Sequence, residues 1–508
     1  MAPQIIIDKA NETFLRLHAS QDVLREVKKW FECFAEGYEH SPRYRARQWN
    51  GKVSLFKLTD KLLPIGLFNR FREKAVESKI GYDFNFDPSN MGMKHPDGFY
   101  DRFYREIFSS DSMYPRDYQN HAVRSAVEKK RGIIEHATGS GKSMVIYCII
   151  RYLLGMDRKI VLIVPNVHLV EQMKKEFRLY GWKDVDDYVT LMYQRHIPDE
   201  TKPILISTYH SLGRKDDSFI SKYTAVLVDE AHQAKAKTIK EILSKLIYAD
   251  YRLGLTATLP YEDDPKELIR ILTVDGFLGP IISKKPAKQL IKEGVLSKVS
   301  IVNIIIKYPE SIIKCFRYRP FAEQQDLIKR ARARMDVFDL IFKYTTTTEN
   351  TLILCEHLDH LDRIYGYVKA LCGDEFEVVK ISGKIPLKKR LEIQENAEQN
   401  GGMVICATFG TMSTGVNIKR LHQIISASSY KAKIKVLQSL GRGMRKHEEK
   451  DQLIWWDLVD DMRWRKRTGR IGENYAFQQF KERIKHYKRQ GHGFENRTFE
   501  LDWKGLYE

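Results

Sequence analysis

Residues 137–143 read Ala137-Thr138-Gly139-Ser140-Gly141-Lys142-Ser143, between the apolar run Gly132-Ile133-Ile134-Glu135 and an apolar helical pattern that begins near Met144. Glycines let backbone N–H groups turn towards phosphate oxygens, and the N-terminus of the following helix carries partial positive charge. Lys142 can then reach terminal phosphates, and Ser143 can ligate a magnesium ion. The stretch therefore predicts a phosphate loop at the end of a strand in an α/β fold. The residues expected to contact phosphate are Thr138, Gly139, Ser140, Gly141, Lys142 and Ser143.

One position departs from the strict phosphate-loop pattern. That pattern has a glycine five positions before Gly141, where this chain has His136. For this stretch taken alone, a chance glycine turn before a helix is the alternative interpretation.

A pair of carboxylates supports the nucleotide interpretation. The apolar strand Ala225-Val226-Leu227-Val228 is followed directly by Asp229-Glu230-Ala231-His232. Ligands bind at the carboxyl ends of strands in open α/β sheets, so both carboxylates would lie at such a site. Asp229 suits magnesium binding and Glu230 suits the general base that activates an attacking water. A solvated strand end is the alternative for these four residues alone.

The surrounding chain alternates short apolar runs with helical patterns, which is typical of parallel sheets covered on both faces. Two sets of such runs predict two doubly wound parallel-sheet α/β domains in tandem, spanning residues 101–283 and 284–461, with the boundary near Ser283. A basic and aromatic segment, residues 1–100, precedes them, and a short basic tail, residues 462–508, follows them. The tail has apolar residues at helical spacing, including Phe477 and Phe480, so we expect a helix there that docks on the body.

The composition and net charge limit the classes of partner that this chain is expected to bind. The 508 residues include 85 Lys and Arg against 66 Asp and Glu, a net charge of +19, which favours polyanions; nucleic acid is the first expectation and an anionic membrane the second. The six cysteines are scattered, with no Cys-x-x-Cys pair and no histidine cluster at metal spacing, and are expected to be reduced thiols. No apolar run is long enough to cross a membrane and no signal sequence is visible, which predicts a soluble, cytoplasmic protein.

These motifs resemble, in order and across residues 114–446, those of the superfamily-2 helicases with a DEAH-type carboxylate motif. The resemblance implies two RecA-like domains, ATP and Mg²⁺ as cofactors, and adenine recognition by the Tyr114–Gln119 stretch through Arg116 and Gln119. It also implies that loops at strand ends touch the nucleic-acid backbone. In the first domain the residues implied are Pro165, Asn166, Ser207, Thr208, Tyr209, Thr256 and Thr258.

The second domain carries the remaining motifs of this resemblance. Ser382, Gly383 and Thr408 occupy the positions of backbone-binding motifs, and Gly415 lies in a nucleotide-coupling motif. The stretch Gln438-Ser439-Leu440-Gly441-Arg442-Gly443-Met444-Arg445 resembles the arginine-finger motif. By resemblance, Arg442 and Arg445 reach the γ-phosphate from the second domain and Gln438 meets the nucleotide or its water. A basic helix that pairs with surface acids is the alternative.

The N-terminal segment resembles the accessory domain of the UvsW-like bacteriophage helicases, which implies a small α+β domain. The resemblance rests on Ser41-Pro42-Arg43-Tyr44-Arg45, Trp49-Asn50-Gly51-Lys52-Val53 and Leu62-Leu63-Pro64-Ile65-Gly66-Leu67; the family's tryptophan turn usually reads Trp-Asp-Gly, so Asn50 is a departure. Arg43, Arg45, Trp49 and Lys52 combine charge with an aromatic ring, a mixture suited to phosphate neutralisation and stacking on unpaired bases. A small core filled by the aromatics, with solvated arginines, is the alternative.

Two further basic segments are candidate DNA contacts. Residues 321–344 have helical periodicity with Lys329, Arg330, Arg332 and Arg334, and a solvated helix face is the favoured interpretation over a DNA contact. The basic tail is the better supplementary contact; its cations include Arg463, Arg465, Lys466, Arg467 and Arg470.

The expected function is an ATP-dependent DNA helicase or translocase. The family resemblance implies branched DNA substrates such as forks, recombination junctions and R-loops, with RNA–DNA hybrids included, in replication, recombination and repair; a phage-encoded protein would act in the host cytoplasm. Three alternatives stay open: a translocase on duplex DNA without strand separation, an RNA-dependent ATPase, and a non-catalytic nucleic-acid-binding or annealing protein. The intact Lys142, Asp229 and Glu230 argue against the last of these.

Overall fold

A computed structural model describes residues 4–35, 37–86, 92–110, 113–231, 236–257, 259, 267–383, 385–413, 418–428, 441, 443–444, 447–448 and 450–503. The chain divides into two compact units: Met1–Ala137 with Gly141–Lys285 form the first, and Thr138–Ser140 with Pro286–Glu508 form the second.

The first unit contains a seven-stranded, fully parallel sheet with the order β13-β7-β12-β11-β8-β10-β9. Its strands are β7 (Arg131–His136), β8 (Ile160–Val164), β9 (Val189–Met192), β10 (Ile204–Thr208), β11 (Ala225–Asp229), β12 (Tyr251–Thr256) and β13 (Ile281–Lys285). The central strands β8, β10 and β11 are buried at every position and mostly apolar, as is typical of parallel strands covered on both faces. The boundary expected near Ser283 lies inside β13, which continues to Lys285 and pairs with β7.

Helices cover this sheet and provide its crossover connections. They are α4 (Phe99–Ile107), α5 (Asp117–Lys129), α6 (Lys142–Leu154), α7 (Val167–Leu179), α8 (Val185–Tyr188), α9 (Tyr209–Leu212), α10 (Asp217–Ser221), α11 (Ala236–Lys245) and α12 (Leu268–Leu278). Helix α6 is strongly apolar, and its Val145, Ile146, Cys148, Ile149 and Ile150 are all buried. This burial fixes the start of α6, and therefore the phosphate loop, against the sheet.

The accessory segment is the α+β structure expected. Its four-stranded sheet has the order β5-β2-β1-β6, antiparallel except for the parallel pair β1 and β6, and β3 and β4 form a separate antiparallel pair. The elements are β1 (Ile5–Lys9), β2 (Phe14–His18), α1 (Gln21–Trp30), β3 (Glu32–Phe34), α2 (Pro42–Arg45), β4 (Lys52–Ser54), β5 (Leu62–Pro64), α3 (Phe68–Glu77) and β6 (Tyr82–Phe84).

The accessory segment shares its core with the first parallel-sheet domain. Ile269 and Leu272 of α12 are buried in the accessory core, and Phe14 packs edge-on against Phe277 at a ring-centroid distance of 5.9 Å. Arg70 of α3 donates two hydrogen bonds, of 3.1 and 2.8 Å, to the Asp275 carboxylate. These contacts join residues 4–86 and the first sheet in one compact unit.

The second unit contains another seven-stranded, fully parallel sheet, with the order β16-β17-β15-β18-β19-β14-β22. Its strands are β14 (Lys298–Lys307), β15 (Thr351–Cys355), β16 (Glu377–Ile381), β17 (Met403–Thr408), β18 (Gln423–Ser426), β19 (Gln452–Asp461) and β22 (Phe494–Glu500). The helices are α13 (Ala287–Lys292), α14 (Glu310–Phe316), α15 (Phe321–Arg330), α16 (Asp336–Phe342), α17 (Leu358–Cys372), α18 (Leu387–Gln399), α19 (Phe409–Ser413) and α20 (Tyr475–Gln490).

The C-terminal segment is more than the helical tail expected from the sequence. Helix α20 is present and docked: Arg483 and Tyr487 both contact the buried Asp457 carboxylate of β19, at 2.8 and 3.0 Å. Beyond it, β22 adds the edge strand to the second sheet by pairing with β14. The sequence of β22 carries exposed charges, including Glu495 and Arg497, so it does not read as a strand. The strand pairs with a neighbour on one side only.

The basic segment 321–344 also differs from the solvated helix face that was favoured. It forms α15, a 3₁₀ turn and α16, and Arg334 in the turn is fully buried. Its guanidinium donates to the Asp460 carboxylate at 2.7 and 3.1 Å and to the Ala427 carbonyl at 2.8 Å. A buried charge needs such partners, which sequence periodicity does not reveal.

Candidate active site

The phosphate loop connects β7 to α6 in the first unit. Gly139 and Gly141 have φ angles of +84° and +78°, in the left-handed region where a side chain is strained. A Cβ atom at Gly141 would lie 2.5 Å from Nε2 of Gln119. The loop therefore needs glycine at residue 141 both for its backbone turn and for the close approach of Gln119.

The histidine that departs from the strict loop pattern points to the interior. His136 is fully buried, and its Nε2 lies 2.9 Å from the Ser283 hydroxyl of β13. Burial, together with the positive charges of Lys142 and Lys285, lowers the pKa of His136 to about 3, so its imidazole is neutral. Its side chain is thus a structural link between β7 and β13, which explains how the loop tolerates it.

The lysine of the loop meets the second of the two carboxylates. Lys142 Nζ lies 3.8 Å from Glu230 Oε1 and donates a 3.3 Å hydrogen bond to the His136 carbonyl. Both side chains are largely buried, with 11% and 16% exposed. Glu230 follows β11 with φ of +48°, an uncommon conformation for a residue with a side chain. This strand end therefore directs the Glu230 carboxylate to the phosphate loop.

Asp229 is the buried member of the carboxylate pair. Its Oδ1 accepts a 3.0 Å hydrogen bond from the Glu230 backbone N–H. Burial and the neighbouring Glu230 raise the pKa of Asp229 to about 7, while Lys142 acts in the opposite direction. A cation at this carboxylate would offset the cost of its burial.

The serine expected to ligate magnesium lies at the start of α6. The Ser143 hydroxyl is 3.0 Å from the Tyr180 hydroxyl, a contact that no sequence motif indicated. Hydroxyl and carboxylate oxygens are the donors that Mg²⁺ prefers, so the chemistry of Ser143 and Asp229 fits this ion. Across the described part of the chain, no group of three or more His, Cys, Asp and Glu side chains could hold a metal ion.

The residues expected to recognise adenine lie beside the loop. The Gln119 carbonyl oxygen accepts a 2.8 Å hydrogen bond from the Arg116 backbone N–H, and Nε2 of Gln119 lies 3.5 Å from the Gly141 carbonyl. Gln119 is buried at the first turn of α5. The structure therefore brings the Gln119 side chain to the phosphate loop, and adenine recognition by Arg116 and Gln119 stays a prediction.

Several hydroxyl residues expected to contact nucleic acid are buried and locally bonded. The Thr208 hydroxyl accepts the Ser211 N–H and so caps α9, and the Thr408 hydroxyl accepts the Thr411 N–H at the start of α19. Ser207 donates to the Met192 carbonyl at 2.9 Å, and Thr256 is fully buried. Helix N-termini and strand ends use these hydroxyls, and their contact with nucleic acid stays a prediction.

Tyr209 is another residue predicted to contact nucleic acid, and that contact stays a prediction. Its side chain is buried, and burial with the nearby Asp229 and Glu230 charges raises the pKa of its hydroxyl well above the ordinary value. The Tyr209 hydroxyl therefore lies near the carboxylate pair. Pro165 and Asn166 follow β8, next to β10, and Asn166 caps α7 by accepting the Leu169 N–H at 3.1 Å.

In the second unit, Ser382 and Gly383 follow β16 at the carboxyl edge of its sheet, and Gly383 is exposed. Five predicted site residues lie outside the described part of the chain, so nothing is concluded about their positions. These residues are Thr258, Gly415, Gln438, Arg442 and Arg445.

Residues of the N-terminal accessory segment line a shallow cavity of about 580 Å³, which the sequence did not indicate. Tyr44, Arg45, Arg47 and Trp49 are among the residues that line it. Trp49 donates its indole N–H to the Lys52 carbonyl at 2.9 Å and stays partly exposed, rather than filling a core. Arg43 and Lys52 are also exposed, and Arg45 donates to the Glu39 carbonyl at 3.3 Å.

Gly51 explains the turn in this motif. Its φ is +78°, and an added Cβ would lie 2.7 Å from Cδ2 of Tyr38. Tyr38 and Tyr44 pack edge to face at 4.9 Å, so the aromatic rings and the turn form one surface feature.

Comparisons with known proteins agree with this geometry. Three protein-family models match parts of the chain: "Type III restriction enzyme, res subunit" at residues 112–261, "DNA helicase UvsW, N-terminal" at 8–87 and "Helicase conserved C-terminal domain" at 334–447. The chain is 26% identical over 473 residues to the ATP-dependent DNA helicase uvsW of Enterobacteria phage T4, covering 91% of this chain and 92% of that protein.

Two further likenesses concern part of the chain and the fold. Over 180 residues the chain is 32% identical to the DNA 3'-5' translocase XPB2 of Sulfurisphaera tokodaii, covering 35% of this chain and 38% of that protein. The crystal structure of T4 UvsW has 24% sequence identity and a TM-score of 0.50, covering 98% of this chain and 100% of that one, which shows a shared fold. Among the described helices, none is long and apolar enough to cross a membrane.

Proposed function

Because the chain is a superfamily-2 helicase, with two parallel-sheet RecA-like domains and a small N-terminal α+β region, we propose that it couples ATP hydrolysis to the unwinding or remodelling of branched DNA. The substrates proposed are forks, recombination junctions and R-loops, in replication, recombination and repair. We place this activity in the cytoplasm, which is the host cytoplasm for a phage-encoded protein.

One observation carries the ATPase proposal: Lys142 Nζ lies 3.8 Å from Glu230 Oε1 beside the buried Asp229. The start of α6 thus brings together a cation that can bind phosphate and a carboxylate that can hold a water molecule. A γ-phosphate bound at Lys142 would lie within reach of a water held by Glu230, as in-line attack requires. Glu230 then accepts the water's proton, and the helix N-terminus with Lys142 stabilises charge on the phosphate oxygens.

Magnesium completes this proposal. Ser143 and Asp229 would hold Mg²⁺, which neutralises charge on the β- and γ-phosphate oxygens when it is bound. Arg116 and Gln119 would orient the adenine, and Thr138, Gly139, Ser140, Gly141 and Gly415 the phosphates. Gln438, Arg442 and Arg445 would supply the remaining charge for the transition state, on the strength of the motif resemblance alone.

DNA is the proposed track. The excess of cations and the DNA helicase named among the relatives support it. Strand-end loops at Asn166, Thr258, Ser382 and Gly383 would hold phosphates through backbone N–H groups, and Pro165 would contact the strand beside Asn166. The accessory cavity near Trp49, with Arg43, Arg45 and Lys52, would hold the unpaired strand at a branch, which supports the preference for forks.

A second candidate function is translocation on duplex DNA without strand separation. The likeness to the Sulfurisphaera tokodaii protein named as a DNA 3'-5' translocase favours this function, because that match has the higher identity, over its 180 residues. Both functions use the same ATP hydrolysis, but unwinding yields separated strands and duplex translocation leaves the strands paired.

The experiment that tests the proposal compares ATP hydrolysis with single-stranded DNA, blunt duplex, forked DNA and RNA, and scores strand separation on the fork. Displacement of a third strand from a DNA triplex reports duplex translocation in parallel. We expect the strongest stimulation and strand separation with the fork. Triplex displacement without fork separation would favour the translocase, and equal stimulation by all four nucleic acids would contradict a branched-DNA function.

A further inference from the structure

A short β-hairpin follows the last central strand of the second sheet. β20 (Trp464–Arg465) pairs antiparallel with β21 (Ile471–Gly472), in the register Trp464 with Gly472 and Arg465 with Ile471. The Lys466 N–H donates to the Arg470 carbonyl at 2.8 Å, which closes the turn. Gly469 in the turn has a φ of +78°, where glycine is favoured.

The hairpin presents a cluster of cations that has no acid within it. Arg465, Lys466, Arg467 and Arg470 are all exposed, and residues 463–472 contain no Asp or Glu. Within the described part of the chain, no ion pair involves any of these four side chains. Four exposed cations in so short a turn, without an acid among them, form a local positive potential that favours an anionic partner.

The neighbouring Arg463 shows what a structural arginine looks like in the same segment. Its guanidinium donates to both oxygens of the Asp461 carboxylate, at 2.9 and 2.8 Å, and lies 3.9 Å from the centroid of the Phe477 ring. Arg463 therefore anchors the base of the hairpin to the domain. The contrast separates this anchor from the four exposed cations.

The base of the hairpin is held rigidly. The Asn474 side chain accepts the Met462 N–H at 3.0 Å and donates to the buried Asp460 carbonyl at 2.9 Å. An added Cβ at Gly472 would lie 2.3 Å from the Trp464 ring, so the second strand packs directly on this indole. The cations are thus presented from a fixed support.

An exposed aromatic ring stands beside the cations. Tyr318, in the loop between α14 and α15, packs against Trp464 at a ring-centroid distance of 5.5 Å and an angle of 78°, yet 74% of Tyr318 is exposed. Ile471 on the second strand is 63% exposed. An exposed ring next to a row of cations is the arrangement that binds unpaired nucleic acid, through base stacking and phosphate contacts.

We propose that the hairpin 464–472, together with Tyr318, is a binding site for the backbone of single-stranded DNA. Arg465, Lys466, Arg467 and Arg470 contact phosphates, and Tyr318 stacks on a base. The site rests on the proposed function, because it supplies a contact for one strand of the branched substrate. It lies outside the strand-end motifs and the accessory cavity, so it is a separate contact.

The test compares DNA affinity and its salt dependence for two matched quadruple variants. The first carries Arg465→Ala, Lys466→Ala, Arg467→Ala and Arg470→Ala. The control carries Lys314→Ala, Lys481→Ala, Lys485→Ala and Arg497→Ala; it removes the same charge from exposed cations of the same unit that pair with Glu310, Glu473, Glu482 and Glu495. Binding to labelled oligo-dT is measured without nucleotide at several salt concentrations.

We expect the hairpin variant to bind oligo-dT about 10- to 100-fold more weakly than the wild type, with a log–log salt slope lower by about 3. The control should change the slope much less. Tyr318→Ala should weaken oligo-dT binding about 5- to 100-fold, with a smaller effect on an abasic strand, because a stacked base is lost. ATP hydrolysis without DNA should be unchanged in both quadruple variants, which checks folding.

Equal affinity and slope for the two quadruple variants would overturn the proposal, and would leave an acidic protein surface as the partner to seek. This failure is distinguishable from failure of the proposed function. In the latter case the wild type itself would show no DNA-stimulated ATP hydrolysis, whatever the hairpin carries.

Discussion

Lys142 Nζ lies 3.8 Å from Glu230 Oε1, so the cation of the phosphate loop and the carboxylate that follows β11 face each other. Phosphate oxygens of a bound nucleotide compete with Glu230 for this lysine. Binding then leaves Glu230 available to accept a proton from water. The pair thereby links occupancy of the site to activation of its base.

This relationship predicts different defects for the two partners. Lys142→Ala should weaken ATP binding and reduce turnover about 100-fold or more, because a phosphate contact is lost. Glu230→Gln should retain ATP binding and reduce turnover by about 10²- to 10⁴-fold, because only the base is lost. Fluorescent-nucleotide titration and phosphate release measure the two effects. The exposed Glu241→Gln on α11 is the matched control; near-normal turnover in Glu230→Gln would refute the assignment.

The buried pair Arg334 and Asp460 should dominate the stability of the second unit. Both side chains are fully buried, and Asp460 also accepts the Tyr308 hydroxyl at 2.8 Å. Arg334→Leu should lower the free energy of unfolding by about 3–5 kcal/mol, because it leaves a buried carboxylate uncompensated. Arg332→Leu, which removes an exposed arginine paired with Asp336, should cost about 1 kcal/mol or less. Urea unfolding measures the loss of unfolding free energy in both variants. Equal losses in the two variants would contradict the prediction.

Mild acid should destabilise the second unit through His360. This side chain is buried, with Nδ1 3.1 Å from the Ser428 hydroxyl, and burial together with the nearby Arg334 lowers the pKa of His360 to about 3. The unfolded chain therefore binds the extra proton below pH 6.5, and stability is lost as the pH falls from 6.5 towards 3. At pH 5 the loss from this histidine is about 2 kcal/mol.

The test measures the free energy of unfolding of the wild type and of His360→Gln, each at pH 7.5 and at pH 5.0. The variant should lose about 2 kcal/mol less than the wild type between the two pH values. Parallel pH dependence in the two proteins would show that His360 does not titrate in this way.

Arg252 should hold the accessory segment to the first parallel sheet. It is fully buried on β12 and donates to the carbonyls of Leu243, Leu246 and Phe277 and to the Thr13 hydroxyl. Arg252→Leu leaves these acceptors unpaired in the interior, at about 1–3 kcal/mol for each. Thermal unfolding should therefore show a large loss for the first unit, against little change for the exposed Arg214→Leu. Similar melting of both variants would contradict this role.

Much of the fold and of the nucleotide site was predictable, because short-range patterns determine both. Apolar runs such as Ile160–Val164 mark buried parallel strands, and the spacing from Gly139 to Ser143 marks a phosphate loop at a strand end. Asp229 and Glu230 directly follow an apolar strand, so their position at the carboxyl edge of the sheet followed from the sequence.

The rest depends on contacts between distant residues that no local pattern encodes. The burial of Arg334 requires Asp460, and β22 reads as a charged surface segment until β14 pairs with it. Hydroxyls such as that of Thr208 also cap the helices that follow them, which the strand-end motifs do not indicate. The contact between Ser143 and Tyr180 is visible only in the three-dimensional structure. The same is true of the difference between Arg463, which pairs with Asp461, and the exposed cations of the hairpin.

The most direct test of the account is the time course of strand release from a labelled DNA fork under single-turnover conditions, for the wild type and for Glu230→Gln. The wild type should release the strand with ATP and not with a non-hydrolysable analogue, whereas Glu230→Gln should bind the fork and release no strand with either nucleotide. Equal strand release by the wild type and by Glu230→Gln would contradict the claim that hydrolysis at this site drives the remodelling of branched DNA.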